Sequence, residues 1–382
     1  MQNKVHVAIL GTRGIPNNYG GFEQCAEKIS LYFIQKGYDV TVYNPSDHSY
    51  KKNEWNGVKI KHVFSNEKRF KSFDTFIFDY LSLRDAIKKN FDIVLELGYS
   101  LNSFFYDLKK KSGAKIITNI AGLEWKRSKW NSIVKRIIKY CEKLAVEKSD
   151  ALIADNPGIR DYLLNEYGRE SFYIPYGAEL FYDPKEEFLE KYSIKKFDYY
   201  ILVARFQPDN NIETILDGYV LSKAEEPFVV IGNYSNKYGE FLKNKYKEYL
   251  SIRFVGGIYN YEMLSSLRWF SKLYFHGHSC GGTNPSLLEA MASNAYIAAH
   301  DNTFNRYVLE GNGFYFSSAK GISSIINNYT EDTRERFIEK NRDKIVKYYN
   351  WKEVSEGYLK VIEKVLEGTF NNEVQHLGKR LR

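Results

Sequence analysis

Residues 278–292 read HSCGGTNPSLLEAMA, and this stretch joins a glycine-rich turn to a segment with helical periodicity. The apolar run LYFH at residues 273–276 precedes it and predicts a buried strand. A strand, a glycine turn and a helix in this order indicate an α/β domain. Such a turn presents backbone N–H groups and the positive end of a helix dipole, which favours a phosphate or sugar hydroxyl groups. Glu289, one turn into the helix, could accept hydrogen bonds from a ribose diol.

Length and composition restrict the possible classes of protein. The chain has 382 residues, more than one compact core usually holds, so we expect two domains. The net charge of +8 is a mild excess that fits an anionic ligand or acidic lipid headgroups. No nucleic-acid-binding motif is present, so we expect no nucleic-acid partner. The first residues run straight into a predicted strand and no apolar run approaches ~18 residues, so we expect neither a signal peptide nor a membrane span.

The cysteines and histidines give no metal-binding pattern. Cys25, Cys141 and Cys280 lie far apart without CxxC spacing, which predicts reduced thiols in a cytoplasmic protein. His276 and His278 have the spacing of one strand face, but no third ligand follows them. We therefore expect no bound metal ion.

Short apolar runs alternate with helical segments along the chain. Strands are predicted at residues 5–10, 39–43, 58–64, 92–97, 115–120 and 151–154, and in a second series at residues 199–203, 228–231, 252–255, 273–275 and 296–299. This alternation predicts two doubly wound parallel-sheet α/β domains facing one another across a cleft, with ligands at the carboxyl ends of the strands.

The domain boundaries follow from the same alternation. We place the first domain at residues 1–180 and the second at residues 181–350. The helix predicted at about residues 351–368 is expected to pack back on the first domain. Residues 369–382 are predicted to form a basic tail.

Two further segments leave predicted strands and carry candidate ligand-binding residues. Residues 11–23 read GTRGIPNNYGGFE, which is not GxGxxG, and no acidic residue closes the following strand, so a dehydrogenase is disfavoured. Arg13 and Glu23 flank these glycines at the expected ligand-binding edge. Residues 204–211 read ARFQPDNN, where Arg205 could hold a diphosphate through bidentate bonds. A surface arginine paired with Asp209 is an almost equally good interpretation.

A third segment is basic and interleaved with aromatic residues. Residues 119–130 read NIAGLEWKRSKW, and further lysine and arginine residues follow up to Lys139. From charge alone, this face is equally consistent with a solvated helix and with contact to a membrane surface or a phosphorylated lipid.

The motifs taken together resemble the bacterial rhamnosyltransferase branch of the family 4 glycosyltransferases, which help to build capsules and rhamnose-rich polysaccharides. The resemblance is carried by GTRGIP and YGGFE within residues 11–23, by GLEWKR at residues 122–127, and by HGHS with GGTNPSLLEAMA within residues 276–292. It covers nearly the whole chain up to about Glu367, and the GGTNPSLLE motif is specific to this branch. The resemblance implies a GT-B fold, retaining chemistry, a nucleotide-sugar donor, and no metal or other cofactor.

The resemblance also implies roles for individual residues. Arg205 would contact the diphosphate, and Glu289 would bind the ribose. The donor-binding candidates are Gly20, Gly21, Arg205, Asn210, Gly281, Gly282, Thr283, Asn284 and Glu289. The acceptor-binding candidates are Arg13, Glu23, Ala121, Gly122, Glu124, Trp125, Lys126 and Arg127. The candidate catalytic residues are Arg205, Glu289 and Glu124.

The chain departs from the wider superfamily at three positions. Gly281 stands where the superfamily has a first glutamate, a loss that the rhamnosyltransferase branch shares. Asn210 stands where the superfamily has a diphosphate-binding lysine, so Arg205 lacks that second cation. Ala121 stands where the branch usually has an acidic residue.

The leading hypothesis is transfer of a deoxyhexose, L-rhamnose from dTDP-β-L-rhamnose, to a lipid-diphosphate-linked sugar in surface-polysaccharide synthesis. The basic and aromatic face would hold the protein on the inner face of the cell membrane. Two alternatives remain: an enzyme similar to the nucleotide-sugar 2-epimerases, or a catalytically impaired sugar-nucleotide-binding protein marked by Ala121.

Overall fold

The structure, a computed structural model, describes residues 4–17, 20–65 and 72–369, without the side chains of residues 72–74. The predicted tail beyond residue 369 lies outside this part of the chain. In the described ranges, no helix is both long enough and apolar enough to cross a lipid bilayer.

The first compact unit comprises Met1–Trp125, Ser132–Pro175 and Trp351–Arg382. Its strands are β1 (His6–Leu10), β2 (Asp39–Pro45), β3 (Glu54–Trp55), β4 (Val58–Val63), β5 (Ile93–Leu97), β6 (Lys115–Asn119), β7 (Ala151–Ala154) and β8 (Phe172–Tyr173). Its helices are α1 (Gly21–Gln35), α2 (Ser72–Lys88), α3 (Ser132–Lys148) and α4 (Pro157–Tyr167), followed at the end of the chain by a helix at Trp351–Glu367. The strands pair in the order β3-β4-β2-β1-β5-β6-β7-β8, and only the β3–β4 pair in this described sheet is antiparallel.

The central strands of the first sheet are buried along almost their whole length. All five residues of β5 are buried, as are the last four of β1, which is typical of parallel strands covered on both sides. The helix Trp351–Glu367 packs on α1. Its Tyr358 hydroxyl accepts a hydrogen bond of 2.6 Å from Asn119 Nδ2 at the end of β6. The helix Trp351–Glu367 is therefore part of the first unit.

The second compact unit comprises Lys126–Asn131 and Tyr176–Asn350. Its strands are β9 (Tyr200–Val203), β10 (Phe228–Ile231), β11 (Ile252–Gly256), β12 (Leu273–His276), β13 (Ile297–His300) and β14 (Phe314–Phe316). Its helices are α5 (Glu187–Glu190), α6 (Ile212–Ser222), α7 (Lys237–Lys245), α8 (Tyr261–Trp269), α9 (Pro285–Ala292), α10 (Thr303–Leu309), α11 (Ala319–Asn328) and α12 (Arg334–Lys347), so that the helix Trp351–Glu367 is α13. The strands pair in parallel in the order β11-β10-β9-β12-β13-β14.

The two sheets have a corresponding strand order around their first strands, and they confirm the predicted parallel α/β architecture. In each, the strand order reverses beside the first strand, between β1 and β5 in the first unit and between β9 and β12 in the second. Loops leaving the carboxyl ends of these strands diverge at this switch point, where open α/β sheets bind their ligands. The second unit begins at Tyr176 rather than at residue 181, and it also takes residues 126–131, which the sequence assigned to the first domain.

Candidate functional site

The first component of the site is the loop that leaves β9. Phe206 is 2% exposed and packs against Tyr234 and Phe254, with ring centroids 6.0 Å apart in each pair. This anchor buries the loop beside Arg205, whereas Arg205 itself is exposed. The arginine predicted to contact a diphosphate therefore lies outside the carboxyl end of the first strand, at the switch point of the second unit.

The β9 loop is bound to the turn that leaves β12. The backbone N–H and the hydroxyl of Ser279 donate to the carbonyl oxygen of Asp209, over 3.0 Å and 2.8 Å. Asn211 Nδ2 donates to the carbonyl of Gly277 over 2.7 Å. A Cβ atom on Gly277 would lie 2.0 Å from the carbonyl oxygen of Asn210, so only glycine permits this approach. The structure thus brings the two predicted donor-binding loops together.

The glycine turn and the helix after it follow the expected geometry. Gly281 has a φ of +124°, a conformation that residues with a Cβ rarely adopt, so a glutamate at this position would be strained. Asn284 caps α9, because its side-chain oxygen accepts the backbone N–H of Ser286 over 3.0 Å. Gly282 is half-buried and Thr283 is 3% exposed. The amide of Asn284 therefore has a structural task in addition to its predicted donor-binding role.

Glu289 has a protein partner that the sequence did not reveal. Arg268 Nη2 on α8 donates to Glu289 Oε2 over 2.7 Å. Arg268 is 1% exposed, while the Glu289 side chain is 28% exposed. Burial disfavours the charged guanidinium, but Glu289 and Tyr274 outweigh this effect and raise the pKa of Arg268. Arg268 fixes one carboxylate oxygen of Glu289, and the carboxylate remains partly accessible to the predicted ribose hydroxyls.

Two histidines, His276 and His278, lie just before the glycine turn in the chain. The rings of His276 and His278 stack with centroids 4.4 Å apart and an interplanar angle of 15°. Burial, together with the charges of Arg127 and Arg205, lowers the pKa of His278 to about 3. Both imidazoles are therefore neutral near pH 7, since burial lowers the pKa of His276 as well. No group of three or more His, Cys, Asp or Glu side chains that could hold a metal ion occurs among the described residues.

Residues 126–131 belong to the second unit and form a hydrogen bond with this site. The backbone N–H of Ser128 donates to Asp209 Oδ1 over 2.8 Å. Lys126 and Arg127, predicted as acceptor-binding residues of the first domain, belong to the second unit, and this contact is one that ties their segment to it. Lys126 is exposed and Arg127 is half-buried.

The switch point of the first unit is built on a different principle. A Cβ on Gly11 would lie 2.7 Å from the carbonyl oxygen of Leu97, so the loop after β1 crosses directly over β5. Asn44, at the end of β2, holds the same loop by accepting the N–H of Ile15 over 3.1 Å and donating to its carbonyl over 2.7 Å. Asn44 thus occupies the end of the second strand, where a dinucleotide-binding domain carries an acidic residue.

Arg13 and Glu23, predicted to bind the acceptor, contact each other. Glu23 is 3% exposed, and its Oε1 accepts the backbone N–H of Arg13 over 2.6 Å. The Arg13 guanidinium donates to Thr75 Oγ1 over 3.2 Å. Gly20 caps α1 without a side chain, and Gly21 begins the helix. Glu23 therefore holds the loop in shape, while Arg13 is half-buried at the switch point.

A buried pair of carboxyl groups lies at the same switch point. Ser100 Oγ contacts Asp79 Oδ2 at 2.7 Å, and Asn102 Nδ2 donates to Glu96 Oε1 over 2.7 Å. Ser100 Oγ also lies 2.8 Å from Asn102 Oδ1, so the polar groups form a continuous chain. Burial raises the pKa of Asp79 to about 6 and that of Glu96 to about 8. Sequence reasoning missed this pair, because neither carboxyl belongs to a recognisable motif.

The segment with the GLEWKR motif starts from a buried polar contact. The N–H of Ala121 donates to Asn119 Oδ1 over 2.9 Å, and Ala121, Gly122 and Glu124 are half-buried. Trp125 Nε1 donates to Glu142 Oε2 over 3.1 Å.

Glu142 is fully buried and organises an aromatic cluster that the sequence did not predict. It accepts hydrogen bonds from the hydroxyls of Tyr99 and Tyr167, over 2.9 Å and 2.8 Å, and from Lys139 Nζ over 3.2 Å. The Lys139 ammonium lies 4.8 Å from the centroid of the Trp125 ring. Lys139 therefore points into the first unit rather than onto the predicted basic face.

Comparisons with known proteins support the fold. A family model described as a domain of unknown function (DUF1972) matches residues 4–179. The search of curated proteins gave no match to this chain.

Solved structures resemble the chain over almost its whole length. A glycosyltransferase from Rickettsia africae is 15% identical with a TM-score of 0.73, covering 96% of this chain and 99% of its own. Sucrose-phosphate synthase from Thermosynechococcus elongatus is 15% identical with a TM-score of 0.78, covering 96% and 100%. HepE from Anabaena, in complex with UDP-glucose, is 12% identical with a TM-score of 0.74, covering 94% and 99%. With its two parallel-sheet units, the chain has the GT-B fold of these glycosyltransferases.

Proposed function

We propose that this protein is a retaining glycosyltransferase that moves L-rhamnose from dTDP-β-L-rhamnose to a sugar on a lipid diphosphate. The observation that carries the proposal is the joining of the Arg205 loop to the glycine turn through Asp209 and Ser279. This contact collects an exposed guanidinium, a glycine-rich turn and a helix N-terminus at one switch point. Together they suit the diphosphate of a nucleotide sugar.

The Arg268–Glu289 pair supports recognition of the nucleotide's ribose. Arg268 binds only Oε2 of Glu289, and the carboxylate is partly exposed. A carboxylate held in one orientation is suited to accept hydrogen bonds from a diol, because its acceptor positions are fixed before the ligand arrives. The complex of HepE with UDP-glucose is in keeping with a nucleotide-sugar donor on this fold.

The proposed chemistry requires the protein mainly to position the two substrates and to stabilise negative charge on the diphosphate. In the retaining mechanism that we propose, the acceptor oxygen attacks from the face that the diphosphate leaves, and a leaving phosphate oxygen takes the acceptor proton. The sugar–diphosphate bond breaks as the new glycosidic bond forms. Arg205 and the turn amides stabilise the negative charge that grows on the diphosphate. Burial lowers the pKa of His276 and His278, which makes their imidazoles weak proton acceptors and agrees with a scheme that uses no protein base.

Transfer from the donor is the direct test. We expect product from dTDP-rhamnose and a lipid-linked acceptor, with the anomeric configuration of the donor retained in the product by NMR. Turnover with UDP- or GDP-sugars alone would reject the rhamnose assignment. Glu289→Ala should weaken donor affinity about tenfold by removing hydrogen bonds to a charged group, whereas Glu248→Ala, with an 81% exposed side chain, should not.

A membrane-bound acceptor also requires a surface that meets the lipid. On α3, Ile133, Ile137 and Tyr140 are 68%, 43% and 50% exposed, at spacings that share one helix face. Phe104 extends this apolar face, since its ring centroid lies 5.6 Å from that of Tyr140. Exposed Arg136 lies beside it. Apolar and aromatic side chains next to cations favour the interface of an acidic bilayer, so we place the inner membrane here instead of at Lys139.

Vesicle sedimentation tests this surface. The natural protein should bind vesicles containing phosphatidylglycerol more tightly than phosphatidylcholine vesicles. The double variant Ile133→Asp and Ile137→Asp should lose most of this binding. Leu250→Asp is the matched control, because Leu250 is an 88% exposed apolar residue of the other unit. Equal binding by the double variant and the control would reject the surface.

Ala121 supports one alternative, a sugar-nucleotide-binding protein with impaired transfer. In that case the natural protein binds the nucleotide tightly without turnover. Ala121→Asp should then restore transfer while leaving nucleotide affinity within about twofold.

A further inference from the structure

We propose that Arg127 and Lys126 supply the second cationic group of the diphosphate site, beside Arg205. The proposal rests on the proposed function, because it names further residues of the same donor site. It moves both residues from acceptor recognition, which the sequence predicted, to donor recognition.

The need for a second cation follows from the position of Asn210. Asn210 is 5% exposed, and its Nδ2 donates to the carbonyl of Arg205 over 2.7 Å. This amide therefore stabilises the loop and carries no charge. A diphosphate has negative charge on both of its phosphates, and one guanidinium at one side leaves the other phosphate to be matched by neutral donors.

The position of residues 126–131 answers this need. Asp209 accepts the Ser128 N–H through Oδ1 and both donors of Ser279 through its backbone carbonyl. One buried residue therefore fixes this segment and the glycine turn relative to each other. Since Arg127 directly precedes Ser128, its backbone is held at the same loop that presents Arg205.

The electrostatics at the turn agree with this placement. The charges of Arg127 and Arg205 both act on His278 and help burial to lower its pKa. Burial raises the pKa of the Cys280 thiol, and Arg127 and Lys126 oppose this effect. His278 and Cys280 flank the start of the glycine turn, so cations from two separate segments act on the same few residues. A diphosphate at this turn is then attracted by cations of both segments.

Binding of a nucleotide series by calorimetry tests the proposal. The probes are thymidine, dTMP and dTDP, and the variants are Arg127→Ala, Lys126→Ala, their combination and Arg127→Lys. Lys129→Ala is the matched control, because it removes the same charge from the same segment. We expect the double variant to lose about tenfold or more in dTDP affinity, less in dTMP affinity, and nothing in thymidine affinity. Arg127→Lys should keep most of the dTDP affinity.

Three outcomes would overturn the proposal. The first is a double variant that binds dTDP like Lys129→Ala. The second is an equal loss for thymidine and dTDP, which would indicate a damaged loop rather than a lost charge. In both of these cases the proposed function still stands, provided that the natural protein binds dTDP. The third is a natural protein that binds neither dTDP nor UDP, which rejects the proposed function and this proposal together.

Discussion

The switch points of the two units have the same strand order but contrasting chemistry. In the second unit, the loops present an exposed arginine and a glycine turn, pinned together by Asp209. In the first unit, the loop after β1 is locked by Asn44, and the buried carboxyls of Asp79 and Glu96 lie nearby. The difference shows that topology selects where a ligand can bind, whereas the loop residues select which ligand it is. The second unit therefore fits the anion that we propose it binds, whereas the first presents buried acidic groups.

Replacing Glu96, a buried acid of the first unit, should have the largest effect on stability. Burial raises the pKa of Glu96 to about 8, so the folded protein holds a proton that the unfolded chain releases above about pH 4.5. Stability is therefore lost as the pH rises towards 8, by about 1.4 kcal/mol per pH unit. Glu96→Gln has no such proton. The difference in unfolding free energy between the variant and the natural protein should therefore shift by about 4 kcal/mol in favour of the variant as the pH rises from about 5 to about 8.

Urea unfolding at several pH values measures this effect. Glu248→Gln is the control, because its side chain is 81% exposed and should follow the natural protein at every pH. Parallel curves for Glu96→Gln and the natural protein would contradict a buried protonated carboxyl.

A Cβ at the tightest contact of the second unit should have the next largest effect. Gly277→Ala places a methyl group 2.0 Å from the carbonyl oxygen of Asn210, so the two loops must separate. We expect a loss of about 3 kcal/mol in unfolding free energy and of nucleotide binding. Gly321→Ala in α11 is the control, since its nearest atom would be 3.6 Å away, and its stability should change by less than about 1 kcal/mol. Similar stabilities of the two variants would show that the contact is loose.

Loss of the hydrogen bond that holds residues 126–131 should have a smaller effect. Two variants of Asp209 isolate this hydrogen bond. Both Asp209→Asn and Asp209→Ala remove the charge, but only asparagine keeps an oxygen that can accept the Ser128 N–H. Asp209→Ala should therefore bind dTDP about fivefold more weakly than Asp209→Asn, as expected for one lost hydrogen bond. Equal affinities in calorimetry would mean that the segment does not depend on this bond.

The sequence predicted the architecture well because the signals are local. The βα alternation gives both sheets, and the predicted strand at residues 228–231 matches β10. Leu287, Leu288 and Met291 of α9 are fully buried, in agreement with the helical periodicity of that segment. The strands β3, β8 and β14 were missed, because two or three residues carry too little periodicity to be distinguished from a loop.

Sequence reasoning predicted only those parts of the site that belong to recognisable motifs. Arg205 and the glycine turn lie together because the strand order requires it. The partner of Glu289 is Arg268 on another helix, and Ser128 of residues 126–131 donates a hydrogen bond to the distant Asp209. Such contacts join residues far apart in the chain and follow from packing, which a single sequence does not encode locally.

The most direct test compares one arginine from each switch point. Calorimetric titration of dTDP into Arg205→Ala and Arg13→Ala should show a loss of about tenfold or more for Arg205→Ala, and an affinity within about twofold of the natural protein for Arg13→Ala. That result would assign the diphosphate to the second unit. The reverse order of the two losses, or equal losses, would contradict the central claim that only the second unit provides the anion site.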